Sequence, residues 1–188
     1  MNLKYHLILG SKSPRRKSLL EALGLDFEVR SQATEEHFPD ALAVEEVAEF
    51  LAIKKAEAFA LKDQELLITA DTTVIHENTV LNKAADAAEA FAMLQSLSNS
   101  THHVVSGVCL RTYEKQVSFS ESTKVIFEEL NDEMIHHYIQ HYQPFDKAGA
   151  YGIQEWIGMV GVSRIEGDYY NVMGLPLHKV YQQLKNFI

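Results

Sequence analysis

The chain has 188 residues and a mass of 21.3 kDa, which suits one compact domain, or one domain with two lobes. Its 26 acidic and 17 basic residues give a formal net charge of −9, which disfavours duplex nucleic acid and anionic membranes as partners. One cysteine, Cys109, cannot form an internal disulfide, and it favours a reducing compartment. The apolar run near the start of the chain is too short for a signal peptide or a membrane span. We therefore expect residues 1–188 to form a single cytoplasmic domain.

Strand and helix signals alternate in the first half of the chain. The apolar run 7–9 predicts a buried strand. Ser13 followed by Pro14 predicts the start of a helix, and Gly24 predicts its end. The remaining elements predicted here are a strand around 27–29, a loop at 32–41, a helix from 44 to about 62 and a strand from 66 to 72.

The second half of the chain continues this alternation. Asp86 and Asn131 are each predicted to cap a helix, and Pro176 is predicted to open the last one. The other predicted elements are two long strands within 102–127, a loop at 144–158 and a strand at 159–165. Interleaved strands and helices predict an α/β fold with a mixed sheet.

The predicted first helix begins with a cluster of positive charge. Lys12, Arg15, Arg16 and Lys17 place four cations within positions 12–17. Cations in a first helical turn cost about 0.3–1 kcal/mol each, and residues that break a local rule are candidates for function. Guanidinium groups beside free backbone N–H donors form a receptor for phosphate. A solvated basic surface turn is the alternative, and the residues alone leave the two interpretations balanced.

The segment 69–72 ends an apolar strand with a carboxylate, that of Asp71. A side chain at the end of such a strand lies at the mouth of the sheet, where α/β proteins bind ligands. Asp71 could there hold a divalent metal or accept a proton from water. The alternative is an ordinary aspartate that caps a turn.

The segment 146–154 contains two glycines and ends with Gln154. Glycines let a backbone approach a ligand closely, and a Gln amide both donates and accepts hydrogen bonds, as the edge of a nucleobase requires. The alternative is a structural loop in which Asp146 pairs with Lys147 and Tyr151 lies in the core.

Together these motifs resemble those of the Maf family of nucleoside triphosphate pyrophosphatases, and the resemblance extends from Leu9 to the C-terminal helix. The matching pieces are Ser11-x-Ser13-Pro14-Arg15-Arg16, Glu35-Glu36, Lys55-Ala56, Ala70-Asp71-Thr72, Lys83, 146–154 and Gly174-Leu175-Pro176-Leu177. The resemblance implies an elongated mixed sheet flanked by helices, with two lobes around a central cleft. It also implies a house-cleaning activity, the hydrolysis of a nucleoside triphosphate to the monophosphate and pyrophosphate with a divalent metal such as Mg²⁺ or Mn²⁺.

The resemblance further implies roles for individual residues. The residues that match the phosphate-binding motif are Ser11, Arg15 and Arg16, and those that match polar positions of the cleft are Glu36, Lys55 and Lys83. Asp71 matches the family's proposed proton acceptor. We expect Asp71 and Glu36 to hold the metal, and the basic residues to stabilise charge on the leaving pyrophosphate. Whether Asp71 acts as metal ligand or as general base is left open.

Three positions concern specificity. Arg15, Thr72 and Gln154 match positions that separate subfamilies, and they resemble the branch that acts on dTTP and UTP. Glu155-Trp156 stands where Gly usually follows the Gln, and it adds bulk and charge beside the presumed base pocket. The alternatives are the branch that acts on 7-methyl-GTP and a nucleotide-sensing regulator linked to cell division. A homodimer is an open option for the assembly.

Overall fold

The computed structural model describes residues 4–188, in which strands and helices interleave as predicted. The strands are His6–Leu9 (β1), Glu28–Val29 (β2), Glu65–His76 (β3), Thr79–Leu81 (β4), Thr101–Arg111 (β5), Gln116–Phe127 (β6) and Val162–Glu166 (β7). The α-helices are Pro14–Ala22 (α1), Val47–Glu57 (α2), Ala87–Leu97 (α3), Asp132–Tyr142 (α4), Trp156–Gly161 (α5), Tyr169–Val172 (α6) and Leu177–Leu184 (α7). Short 3₁₀ turns occupy Val44–Glu46, Pro144–Asp146 and Lys185–Phe187.

The strands form one mixed sheet in the order β2-β1-β3-β5-β6-β7, and β4 pairs with β3. Strand β1 runs parallel to both β2 and β3, with Ile8 opposite Glu28 on one side and Leu67 on the other. The β3–β4 and β6–β7 pairs are antiparallel. A mixed sheet with flanking helices confirms the predicted fold class.

The chain divides into two compact units. The first unit comprises the residues up to Thr72, Ser106–Glu121 and Gly174–Ile188. Its core includes a fully buried cluster of Ile8, Ala52, Ala56, Leu67 and Cys109. The second unit comprises Thr73–Val105 and Ser122–Met173, and its core includes Leu94, Val104, Phe127, Tyr138 and Ile157.

Strand β3 is longer than the sequence predicted, so the expectation that it ends at Asp71 and Thr72 is wrong. The strand continues to His76 because Val74–His76 pair with β4 in a hairpin. Glu77 and Asn78 form its turn with positive φ angles of 47° and 60°, the backbone that two-residue hairpin turns require. Asp71 therefore lies within a strand rather than at its end.

Two other predicted boundaries are also wrong. Helix α2 ends at Glu57 instead of about Lys62, because Phe59 and Leu61 leave the helix to pack against the cluster around Ile8. The strand predicted at 159–165 begins only at 162, since the preceding residues belong to α5. The strand predicted around 27–29 is confirmed but has only two residues.

Gly107 offers a test of the packing in the first unit. A Cβ atom at this position would lie 2.2 Å from the backbone of Ala48 and Glu49 at the start of α2. Backbone atoms cannot move aside cheaply, so we expect Gly107→Ala to lower the free energy of unfolding by about 3 kcal/mol or more. Gly24→Ala is the control, because its Cβ would meet nothing within 4 Å and only the φ of 68° opposes it. Equal loss of thermal stability in both variants would contradict this packing.

Within residues 4–188, no helix is long and apolar enough to cross a membrane. The prediction about a signal peptide also concerns Met1–Leu3, which lie outside the described residues. The cytoplasmic location, the single domain over 1–188 and the central cleft stay predictions.

Candidate active site

The start of α1 has the capped geometry that the sequence predicted. The Ser13 hydroxyl accepts a hydrogen bond from the backbone N–H of Arg16 at 3.4 Å, and Ser13 N–H donates to the Ser11 hydroxyl at 3.2 Å. The first turn contains no acidic residue. Lys17 is exposed and pairs with Glu21 at 3.6 Å, as a surface cation does. Lys17 is therefore an ordinary surface cation, and the phosphate-binding roles of Arg15 and Arg16 stay predictions.

Arg16 ties three segments of the first unit together. Its Nε donates to the carbonyl of Gly174 at 2.8 Å, and its Nη2 donates to the Thr72 hydroxyl at 2.9 Å. Ser106 lies 2.9 Å from that hydroxyl, oxygen to oxygen. Burial lowers the pKa of the Arg16 guanidinium, and the nearby carboxylates of Asp71 and Glu36 oppose this effect. Arginine stays charged at every physiological pH, so its hydrogen bonds to Gly174 and Thr72 do not depend on pH.

We expect Arg16→Lys to lower the free energy of unfolding by about 1.5–3 kcal/mol. A lysine ammonium keeps the charge but lacks the planar fork that reaches Gly174 and Thr72 together. Thermal and urea unfolding would measure the change. Lys17→Met is the control, since its exposed pair with Glu21 contributes little. Full stability in Arg16→Lys would show that these two bonds do not secure the site.

Two carboxylates of the first unit share one lysine. Lys55 Nζ, in the last turn of α2, donates to Glu36 Oε1 at 2.7 Å and also to Asp71 Oδ1. Asp71 is buried on β3, whereas Glu36 is exposed in the loop before α2. Helix, strand and loop thus bring together three of the residues that the sequence predicted for the site.

Asp71 and Glu36 are the candidate ligands for a divalent metal in the first unit. Within residues 4–188, no group of three or more His, Cys, Asp or Glu side chains could hold a metal ion. Asp71 and Glu36 do converge on one cation, the Lys55 ammonium. Mg²⁺ commonly binds through one or two carboxylates plus the phosphates of a ligand. The residues therefore fit a metal whose coordination a phosphate ligand completes.

Lys83 and Gln154 belong to the second unit. Lys83 is exposed and forms a backbone bridge with Ala148, so it lies beside the segment 146–154. The side-chain oxygen of Gln154 is shielded from solvent and has no hydrogen-bond partner among the residues that the structure describes. A buried acceptor without a donor is unfavourable.

The structural alternative for the segment 146–154 is correct for three of its residues. Lys147 Nζ lies 2.8 Å from Asp146 Oδ1, and the buried Tyr151 hydroxyl lies 2.7 Å from His102 Nε2. Tyr151 therefore packs in the core rather than serving a ligand.

Sequence reasoning missed two contributors to the site. Ser106 is not among the predicted site residues, yet its hydroxyl contacts that of Thr72. The Gly174 carbonyl holds Arg16, and a backbone atom leaves no signal in the sequence. Ser106 stands among apolar residues of β5, and no spacing in the sequence indicates its contact with Thr72.

These features define an α/β protein with a basic helix start and a lysine-bridged carboxylate pair, as an enzyme acting on phosphate esters or anhydrides needs. The chain belongs to the Maf family: the model of that family, described as Maf-like protein, matches residues 6–187. The resemblance stated from the sequence motifs is thereby confirmed.

Individual relatives agree with this membership. The chain is 50% identical over 187 residues to a dTTP/UTP pyrophosphatase of Parabacteroides distasonis, covering 98% of this chain and 97% of the relative. It is 48% identical over 187 residues to a dTTP/UTP pyrophosphatase of Flavobacterium johnsoniae, covering 98% and 96%. Among solved structures, it is similar to a nucleoside-triphosphatase / dITP/XTP pyrophosphatase from Mycobacterium abscessus, with 18% identity, a TM-score of 0.39 and coverage of 65% and 74%. A structural likeness at this level supports no statement about function.

Proposed function

We propose that this protein hydrolyses dTTP and UTP to the corresponding monophosphate and pyrophosphate. The observation that carries the proposal is the Lys55 ammonium between the carboxylates of Glu36 and Asp71, in the same unit as Arg16. Binding of a triphosphate alone has no need of carboxylates, because they repel the ligand. Relatives that are about half identical over nearly the whole chain carry the name dTTP/UTP pyrophosphatase.

The reaction requires water to attack the α-phosphorus while the bond from that phosphorus to the bridging oxygen breaks. The electron pair of that bond leaves with pyrophosphate, and the attacking water loses a proton. Asp71 is the proton acceptor in this proposal, and its contact with Lys55 fixes the direction of its carboxylate. Burial of Asp71 keeps competing water away from this carboxylate.

Negative charge grows on the leaving pyrophosphate, and cations must stabilise it. In the proposal, Arg15 and the α1 N-terminus bind the phosphates, with Ser11 in the same turn. Lys55 adds charge to the site, and Arg16 holds this turn against Thr72 and Gly174. The role of Lys83, in the second unit, as a further cation for the triphosphate stays a prediction. Asp71 and Glu36 would hold Mg²⁺ or Mn²⁺, which when bound neutralises triphosphate charge and lowers the pKa of its water.

Gln154 is the proposed reader of the base. Uracil and thymine present a carbonyl acceptor beside an N–H donor, and a Gln amide complements both groups. Cytosine reverses that pattern, so a site built for uracil rejects it. The unpartnered side-chain oxygen of Gln154 is consistent with a group whose partner is the substrate.

The deciding experiment measures pyrophosphate release from dTTP, UTP, CTP and 7-methyl-GTP, with and without Mg²⁺ or Mn²⁺. The proposal predicts metal-dependent release from dTTP and UTP, and much slower release from the other two. Preference for 7-methyl-GTP would place the chain in the other branch of the family. Tight binding of UTP without any pyrophosphate would indicate a nucleotide-sensing regulator instead.

A further inference from the structure

Glu155 lies at the centre of a buried hydrogen-bond network in the second unit. Its Oε1 lies 3.1 Å from Lys147 Nζ, and its Oε2 accepts a hydrogen bond from the Tyr138 hydroxyl. Lys147 is itself buried, and its side chain is 8% exposed. The negative charge that Glu155 adds to the sequence is therefore neutralised within the protein and is not directed at a ligand.

The same network reaches the backbone of the segment that carries Gln154. The hydroxyl of Tyr138, which is fully buried on α4, accepts a hydrogen bond from the Gly152 N–H at 3.0 Å. Glu155 N–H donates back to the Gly152 carbonyl at 3.0 Å. Gly152 is thus bonded on both sides by groups that Glu155 supplies or orients.

Gly152 also packs tightly between the two side chains that follow it. A Cβ at Gly152 would lie 2.9 Å from Glu155 Cδ and 3.0 Å from Gln154 Nε2. Only glycine lets the backbone come so close to both groups. Glu155 Cδ and Gln154 Nε2 therefore both lie beside the Cα of Gly152, around the space that a Cβ would fill.

Two features make this network rigid. Burial and the bond to Glu155 raise the pKa of the Tyr138 hydroxyl, which keeps its proton and remains a donor. The Lys147 ammonium pairs with both Glu155 and the exposed Asp146. Without Glu155, this buried ammonium would keep only the pair with the solvent-exposed Asp146 carboxylate. Networks of this kind fix one arrangement when every member is satisfied.

We propose that Glu155 is a positioning residue that, through Tyr138 and Lys147, fixes the orientation of Gln154 and so sets the selectivity for the base. The proposal rests on the proposed function of Gln154 as the reader of a pyrimidine edge. It also explains the presence of Glu155-Trp156 where glycine usually follows the glutamine. A glycine would leave the backbone after Gln154 flexible, whereas the Glu155 carboxylate holds the loop through Lys147 and Tyr138.

The test compares Glu155→Gln and Tyr138→Phe with the wild type. For each we expect the ratio of kcat/KM for UTP to that for CTP to fall about tenfold, because a loosened Gln154 can satisfy either base edge. The change should lie mainly in KM, since neither residue belongs to the reacting carboxylates. Glu129→Gln, an exposed carboxylate in the same unit, is the matched control and should keep the wild-type ratio.

A double variant keeps the test valid if a single substitution prevents folding. Lys147→Met combined with Glu155→Gln removes both charges of the buried pair, which is often tolerated where loss of one partner is not. This double variant should show the same loss of selectivity. Circular dichroism should confirm that all variants are folded, and amide exchange at Gly152 should be faster in Tyr138→Phe.

Binding of UMP and CMP, measured by calorimetry, separates the two proposals. If the wild type prefers UMP but releases no pyrophosphate, the proposed function fails, and the ratio of the two dissociation constants still tests Glu155. An unchanged ratio in the folded variants, or an equal loss for both nucleotides, would overturn the positioning role. A wild type that binds UMP and CMP equally would overturn it too, since Gln154 would then have no selectivity to protect.

Discussion

We expect Asp71→Asn to slow pyrophosphate release from dTTP by about 1000-fold, within the range that a positioned general base contributes. Asn has nearly the same shape as Asp but cannot accept a proton at neutral pH. It also removes one of the two charges that hold the Lys55 ammonium. The fold should survive, because Asn occupies nearly the same volume as Asp and Lys55 keeps its pair with Glu36.

The measurement is single-turnover hydrolysis with saturating Mn²⁺, together with thermal unfolding. Asp63→Asn is the matched control, an exposed aspartate in the same unit, and it should keep the wild-type rate. Wild-type-like turnover in folded Asp71→Asn would remove Asp71 from both of its proposed roles.

Lys55→Met should reduce kcat/KM by about 100-fold or more. The substitution leaves Glu36 and Asp71 without the ammonium between them, so their charges repel each other and the triphosphate. The methionine keeps much of the stem of the side chain, and the helix propensity of the two residues is similar. Because Asp71 is buried, the free energy of unfolding should fall as well, so activity is measured at a temperature where the variant is folded.

The chain provides a control one position away. Lys54 lies on the same helix, but its Nζ donates to the carbonyl of His37 at 2.9 Å and not to a site carboxylate. Lys54→Met removes the same charge from the same helix turn and should retain most of the activity. If both variants lost activity equally, general attraction of the anionic substrate would explain the effect, and the bridging role of Lys55 would be wrong.

Local signals predicted the parts of the fold that depend on a few adjacent residues. The caps at Ser13, Asp86 and Asn131 are confirmed, because a side-chain acceptor three residues before an N–H specifies a helix start almost by itself. The family resemblance is confirmed as well. It too depends on short motifs that can be recognised from adjacent residues. Roles of single residues in the reaction stay predictions.

Features that depend on distant partners could not be predicted. Strand β3 extends beyond Asp71 because β4 pairs with it, and α2 ends early because Phe59 finds a place in the core. The bonds that Glu155 makes with Tyr138 and Lys147 join two helical regions and a loop, and no spacing in the sequence indicates them. In each case a tertiary contact overrides the local preference of the chain.

The bond from Arg16 to Gly174 has a consequence for biosynthesis. The two residues are 158 positions apart, and the first unit needs Gly174–Ile188 as well as the start of the chain. A ribosome delivers the chain from its N-terminus, so the second unit has all its residues when Met173 emerges, whereas the first does not. Arg16 therefore has no carbonyl partner at this site until Gly174 has been synthesised. Nascent chains that end before Gly174 therefore lack the contact that holds Arg16, at the start of α1, in place.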